Sequence, residues 1–438
     1  MVYLKKLFYK KKNSHKNCVF LRKFNLLEDI KKNFTFINNY DGIYADSASK
    51  TAIPNQVQQA IKNFQNKSNA SYYKAGNSFI VEGTEILEQS RLNLAKFLGS
   101  RSSGEIIWTN GVPDALNLFL KSYHPKKNSK INILFDKNLS LPWILPWLNP
   151  KANSNNETLF FSMSESNHDY INDLNEEIST HKPKLVVFPH ISQISGQLYP
   201  IEEIIKISHD NSAEVLLNMT HSLSHVEIDV HKLNIDYAIG KFDTNFGPSG
   251  IGFMYGKYAL IDEMYPDDFN EYAITEIDNL SDLKNFSSTY KFKKPPERFE
   301  SLSQNYSGII GASEALNFIN AIGIQKIREH EMNLSKKFIQ EIQNLNIDDL
   351  NMFKAFSIEN QIPIFSLASE MINPHDLSLM LDSNYKIASH SGFLSTPHFF
   401  NSIGYKDGVN QFSFSIYNSL EEIETISTSL NEIFVLFK

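Results

Sequence analysis

A chain of 438 residues is long enough for two or three domains, and its 42% apolar and 21% charged residues exclude disorder. A net charge of −7 argues against general affinity for nucleic acid or an anionic membrane surface. The single cysteine, Cys18, excludes an internal disulfide framework, a cysteine-based zinc site and thiolate chemistry from the body of the chain.

The charge is uneven along the chain. Residues 1–24 hold eight lysines and arginines and no acid, which leaves about −15 on residues 25–438. This reads as a solvated basic arm. One arginine, Arg22, and one serine, Ser14, make a poor transit peptide, and no apolar stretch follows as in a secretory signal. No run of about 18 apolar residues is present to span a membrane. The expected location is the cytoplasm.

Beyond the arm, short apolar runs at Ile131–Phe135, Leu185–Pro189, Val215–Leu217, Tyr237–Ile239 and Ile251–Tyr255 predict strands. Amphipathic stretches at Glu85–Leu98, Asp114–Lys121 and Ile201–His209 predict helices beside them. Strands without strict alternation between helices predict a buried, mostly parallel sheet. The Asn/Ser-rich residues 153–156 read as a loop. Helical patterns then dominate, at Gly308–Ile322 and Ile327–Leu345. The last third mixes strand-like Pro363–Leu367 and Gln411–Ile416 with a final helix at Leu420–Val435. This change of character places a domain boundary near residue 305.

The segment Asp236–Tyr255, DYAIGKFDTNFGPSGIGFMY, is a strand, a polar turn and a second strand. It resembles the lysine loop of class V aminotransferase-fold enzymes, closest to the Suf-type cysteine desulfurases. Other segments agree in order. Tyr44–Ala48 resembles the family's Y-L-D-N/S-A-A opening, and Glu105–Phe119 its phosphate turn and helix. His190–Pro200 resembles the H-x-S-N-x-x-G segment, and Arg298-Phe299-Glu300 the R-F-E motif. Ile387–Ser395 and Ser413–Glu422 resemble the cysteine-bearing loop and the entry to the terminal helix.

The resemblance covers roughly residues 25–435 and implies a PLP-dependent transferase-like fold of type I. Residues 44–304 would form a large α/β domain on a mixed, mostly parallel seven-stranded sheet. Residues 305–438 would form a small α+β domain, with residues 25–43 packed against it. The family usually forms homodimers with sites at the subunit interface, so a homodimer is expected. A heterodimer with an active relative stays open.

Placed on the family's motifs, the site residues differ. Thr244 stands where the Schiff-base lysine is expected, and a threonine forms no imine. Asn218 stands for the acid on the pyridine nitrogen, and a neutral amide does not keep that nitrogen protonated. His221 stands for a glutamine, and Ser140 for the ring-stacking histidine. Val112 and Pro113 replace two phosphate-binding threonines, and proline has no N–H to give. Lys241 and Asp243 replace a serine and a histidine. A carboxylate 4 Å from a phosphate costs about 1–4 kcal/mol, which Lys241 would offset. Ser395 stands at the persulfide cysteine, His390 at the carboxylate-binding arginine, and Gln193 at the asparagine after H-x-S. Arg298 is retained, and reads as a structural ion pair or hydrogen bond at the domain hinge.

Residue types alone leave further readings. Lys241 could act as a displaced imine lysine, but it lies three residues early, about 10 Å along an extended chain. His221 and His225 have i, i+4 spacing, yet no H-E-x-x-H pattern surrounds them. Ser395, His390 and Asp243 invite a Ser-His-Asp reading that geometry must decide. His390 and His398 read as polar residues of a loop over the pocket. The glycines from Gly247 to Gly252 open no helix, so they are not a dinucleotide fingerprint.

Three functions stay open. The chain is a non-catalytic homologue that binds a small molecule or a protein partner, an enzyme with lysine-independent chemistry, or a PLP enzyme of the lyase, transaminase or desulfurase kind using Lys241. The expectation is that no pyridoxal phosphate is covalently held. The cavity is expected among Ser140, Asn218, His221, Asp243 and Thr244.

Overall fold

The computed structural model describes residues 30–67, 77–123, 132–148, 157–161, 167–266, 273–277, 290–300 and 304–437. The basic arm, with Cys18, and the Asn/Ser-rich loop lie outside them.

Seven strands form the main sheet: β1 (Ile106–Thr109), β2 (Asn132–Asp136), β3 (Glu157–Phe161), β4 (Leu185–Pro189), β5 (Glu214–Asn218), β6 (Tyr237–Lys241) and β7 (Gly252–Gly256). Their order is β1-β7-β6-β5-β4-β2-β3. The pairs β6–β5, β5–β4, β4–β2 and β2–β3 are parallel, while β7 runs antiparallel to β1 and β6. The expected mixed, mostly parallel sheet is therefore present. Leu185–Phe188 and Val215–Leu217 are direct neighbours within it.

The strands lack alternation because both faces are covered. Leu134, Val186, Phe188, Val215, Leu217 and Phe253 point to one face. There they meet α2 (Ser78–Phe97), α4 (Ile201–Asp210) and α5 (Tyr306–Ile322), through Leu94, Ile204, Ile309 and Leu316. Ile133, Phe135, Val187, Leu216 and Ile239 point to the other face, against Leu116 and Phe119 of α3 (Val112–Ser122) and against Trp143 and Trp147. Each such fully buried side chain contributes about 1.5–3 kcal/mol. Helix α1 (Asn55–Lys67) packs on α5.

The last third builds a second, antiparallel sheet of β8 (Asn351–Phe353), β9 (Ile364–Ala368), β10 (His390–Gly392) and β11 (Val409–Ser413), in the order β8-β9-β11-β10. Helices α6 (Ile324–Asn344), α7 (Pro374–Tyr385) and α8 (Leu420–Val435) cover it around Phe338, Phe365, Phe412 and Leu430. Ser419 and Glu422 form a reciprocal capping box that starts α8. Residues Ile43–Tyr44 pair in parallel with Ile387–Ala388, which ties the N-terminal segment to this layer.

Two retained motif residues make internal contacts. Glu300 accepts a bidentate pair from Arg91, at 2.5 and 2.9 Å, and the Trp108 N–H at 2.7 Å, so it locks α2 to β1. Arg298 donates to the Ile261 carbonyl at 2.6 Å and lies over the rings of Tyr265 and Phe299. It does not line the cavity described below, so its place matches the structural reading rather than a ligand contact. No helix among the described residues is long and apolar enough to cross a membrane.

Candidate functional site

The C-terminal ends of β2, β4, β5 and β6 feed loops that converge with the N-terminus of α3 and the loop after β10. In an open α/β sheet this edge gathers the ends of several strands, and ligands bind there. A cavity of about 460 Å³ occupies the place. Its wall includes Ser140, Gln193, His221, Lys241, Asp243, His390 and Ser395, which seven separate readings of the sequence named. Asn218 and Thr244 are not on the wall; they lie behind it, with 8% and 1% of their surface exposed.

The turn after β6 explains Thr244. Phe242 O accepts from Asn245 N and Gly247 N, and Phe246 adopts a left-handed φ of 62°. Thr51 clamps the tip by donating its backbone N–H to Asp243 O at 2.9 Å and by accepting from Phe246 N at 2.7 Å. Thr244 Oγ1 donates to Thr220 O at 2.6 Å, and Asn245 Nδ2 donates to the same carbonyl at 2.9 Å. Asn245 Oδ1 in turn accepts from Ser224 N and Oγ. The Thr244 and Asn245 side chains are thus spent on an internal polar network and do not reach the cavity wall. Asn218 Oδ1 is likewise engaged, by Thr220 N and Oγ1.

Charge in the cavity comes mainly from a pair. Lys241 Nζ lies 2.9 Å from Asp243 Oδ1, and each side chain is 25% exposed. His390 Nδ1 lies 3.0 Å from Ser49 Oγ and 3.5 Å from Asp46 Oδ2. The hydrogen bond to Asp46 raises its pKa against the opposing effect of burial. Ser49 and Asp46 face the same ring nitrogen, so this is not a Ser-His-Asp relay. His390 makes no contact of that kind with Ser395 or Asp243 either.

His221 is neutral. Burial, then the charges of Lys241 and His225, push its pKa down to about 3. A neutral imidazole carries one donor and one acceptor, and His221 lines the cavity. His225 turns away and meets Glu331 of α6 at 2.6 Å. The two histidines therefore share no metal, and among the described residues no group of three or more His, Cys, Asp or Glu could hold one. His398 donates through Nε2 to Lys137 O at 2.9 Å and does not line the cavity.

Sequence reasoning missed Ser49, Trp143 and Gln411 in the wall. Ser49 directly follows the recognised opening motif, and Gln411 sits in a recognised strand. Neither has a residue type that singles it out. At the N-terminus of α3, Val112 and Pro113 also line the cavity, and Asn110 donates from its backbone N and its side-chain Nδ2 to Asp114 Oδ2.

These elements define a fold-type-I α/β protein with its cavity at the carboxyl edge of the sheet. The chain matches the Aminotransferase class-V family over residues 43–426, and belongs to that family. It is 26% identical over 397 residues to a probable cysteine desulfurase of Vibrio cholerae, covering 90% of this chain and 94% of that protein. A cysteine desulfurase of Escherichia coli is 26% identical over 404 residues, covering 91% and 94%. The apo structure of a cysteine desulfurase from Thermococcus onnurineus superposes with a TM-score of 0.84 at 25% identity, covering 93% of this chain and 98% of that one.

The family depends on pyridoxal phosphate. The residues of this cavity do not fit that group in the family's manner: the turn tip carries a buried hydroxyl, an amide, Asn218, ends β5, and Pro113 at the start of α3 has no N–H to give.

Proposed function

We propose that this chain is an atypical member of the class V aminotransferase family that binds a small molecule without lysine-imine catalysis. One observation carries the reading. Thr244, at the family's lysine position, is buried and spends its hydroxyl on Thr220 O, so the turn tip offers the cavity no amine. The absence of a cysteine at Ser395 supports it, because a desulfurase needs a thiolate there and the chain's one cysteine is Cys18. The same reading places the protein in the cytoplasm as a homodimer, or as the partner of an active relative.

A second reading rests on Lys241, whose amine reaches the cavity wall. There it would form the imine that Thr244 does not. Against it, the Lys241 amine is already engaged by Asp243 Oδ1 at 2.9 Å.

Native mass spectrometry of the purified protein, followed by denaturation, separates the two. The expected result is a bound small molecule that leaves on denaturation, with no absorption band of an imine. Incubation with cysteine and added pyridoxal phosphate is expected to release no sulfide above the protein-free background. Turnover of cysteine to sulfide would overturn the proposal.

A further inference from the structure

The ionisable groups on the cavity wall are Lys241, Asp243, His390 and His221, and none offers an unopposed charge. Lys241 Nζ is paired with Asp243 Oδ1 at 2.9 Å, and His390 Nδ1 stands 3.5 Å from Asp46 Oδ2. His221 is neutral. Opposite charges this close nearly cancel for a ligand lying several ångströms away. An anion entering here would meet Asp243 with Lys241, and a cation Lys241 with Asp243. Either would give up its water without gaining a matching counter-charge.

What the wall leaves open is uncharged. His221, Ser140 and Gln411 line the cavity and are only 7%, 8% and 3% exposed. Among the described residues neither ring nitrogen of His221 has a hydrogen-bond partner, and the Ser140 hydroxyl caps nothing at the start of the helical turn Leu141–Ile144. Gln411 spends Nε2 on Gln193 O at 2.7 Å and on Ser366 Oγ at 3.2 Å, which leaves its Oε1 as an acceptor. Gln193 gives Nε2 to Leu394 O at 2.6 Å and keeps its own Oε1. Buried polar groups without partners are rare, and these border a space that a ligand can fill.

The open set is two acceptors, a hydroxyl and an imidazole that both donates and accepts. It asks for a ligand that donates as well as accepts and carries no charge. Hydroxyl groups do both at one atom. Trp143, Val112 and Leu394 add apolar surface for the C–H face of a ring. We infer that the cavity takes an uncharged polyhydroxy compound, a free sugar or cyclitol or the sugar of a nucleoside, held by Ser140, Gln193, His221 and Gln411. This rests on the proposed function, because a cofactor held as an imine would occupy the same space.

The test is a saturation-transfer NMR titration of the full chain at neutral pH. The probes are D-ribose, D-glucose and myo-inositol, each beside its monophosphate, and uridine. The expected result is that at least one free polyol binds, roughly tenfold tighter than its phosphate. Uridine binding in addition would assign the nucleoside as the source. Ser140→Ala should weaken the polyol several-fold at an unchanged thermal midpoint. Asp243→Asn leaves Lys241 unopposed and should strengthen the phosphate roughly tenfold. No binding of any free polyol, a phosphate bound as tightly as its parent polyol, or uridine binding alone would overturn the inference. Unchanged affinities in both variants would overturn the seat assigned to the ligand. Each of these outcomes leaves the reading of Thr244 standing, which falls instead to release of sulfide from cysteine.

Discussion

His221 shows how much one side chain's surroundings alter its chemistry. Its imidazole is held at about 3 in the fold, chiefly by burial. An unfolded histidine titrates near 6.5, so below that pH the unfolded chain takes up a proton that the folded chain refuses. Stability is therefore lost as pH falls from about 6.5 toward 3, at roughly 1.4 kcal/mol per pH unit for this residue. Replacing it by glutamine removes the titration and keeps a polar group. Urea unfolding at about pH 7 and pH 5 should show the His221→Gln protein losing less stability on acidification than the parent, by about 2 kcal/mol over the interval. His190, also held at about 3 by burial, acts with the same sign, and Asp136, raised to about 6 by burial, acts against it. Both are unaltered in the variant, so the difference isolates His221. Equal pH slopes would contradict its buried, neutral state.

Among the elements, the turn between β4 and α4 packs closely on the chain that leads into β9. Gly196 has a φ of 67°, and its carbonyl accepts from Ile362 N at 2.8 Å. A Cβ there would stand 2.3 Å from Ile362 O and 2.7 Å from Ile364 O. Backbone does not yield as a flexible side chain does. Gly196→Ala should destabilise by about 2–3 kcal/mol, read as a lowered thermal midpoint; an unchanged midpoint would mean that the contact is loose.

The elements were legible in the sequence where burial and periodicity agreed. Leu185–Pro189 and Leu420–Val435 appear with the bounds that their apolar patterns predicted. Strand β1 lay hidden inside a recognised motif, and β3, with its Thr-Leu-Phe-Phe core, was overlooked between polar stretches. The site was legible wherever a motif fixed the register, as for Lys241, Asp243 and His390. It was illegible where a backbone detail decides. Nothing in the residue types says that Thr244 turns onto Thr220 O, that Asn218 faces its own loop, or that Arg298 sits away from the cavity.

At the scale of the whole molecule, the two layers are joined by a buried side-chain hydrogen bond. His225, from the loop after β5, meets Glu331 of α6 at 2.6 Å, with side-chain exposures of 8% and 1%. The Arg328 guanidinium also interacts electrostatically with Glu331. Removing one partner leaves the other unsatisfied in a dry interface, so His225→Ala and Glu331→Ala should each cost about 1–3 kcal/mol. The double variant should cost far less than the two together, and additive losses in urea unfolding would show that the pair is uncoupled.

This joint links the small layer to the loop that also carries His221 and anchors Thr244. The family's fold is kept, and under the proposed function the turn after β6 serves an internal network instead of an imine. The most direct measurement is incubation of the full chain with excess pyridoxal phosphate, borohydride reduction and peptide mass mapping. The account predicts trace labelling scattered over exposed lysines and no stoichiometric label on any residue. A stoichiometric label on Lys241 would contradict it and identify that residue as the imine lysine.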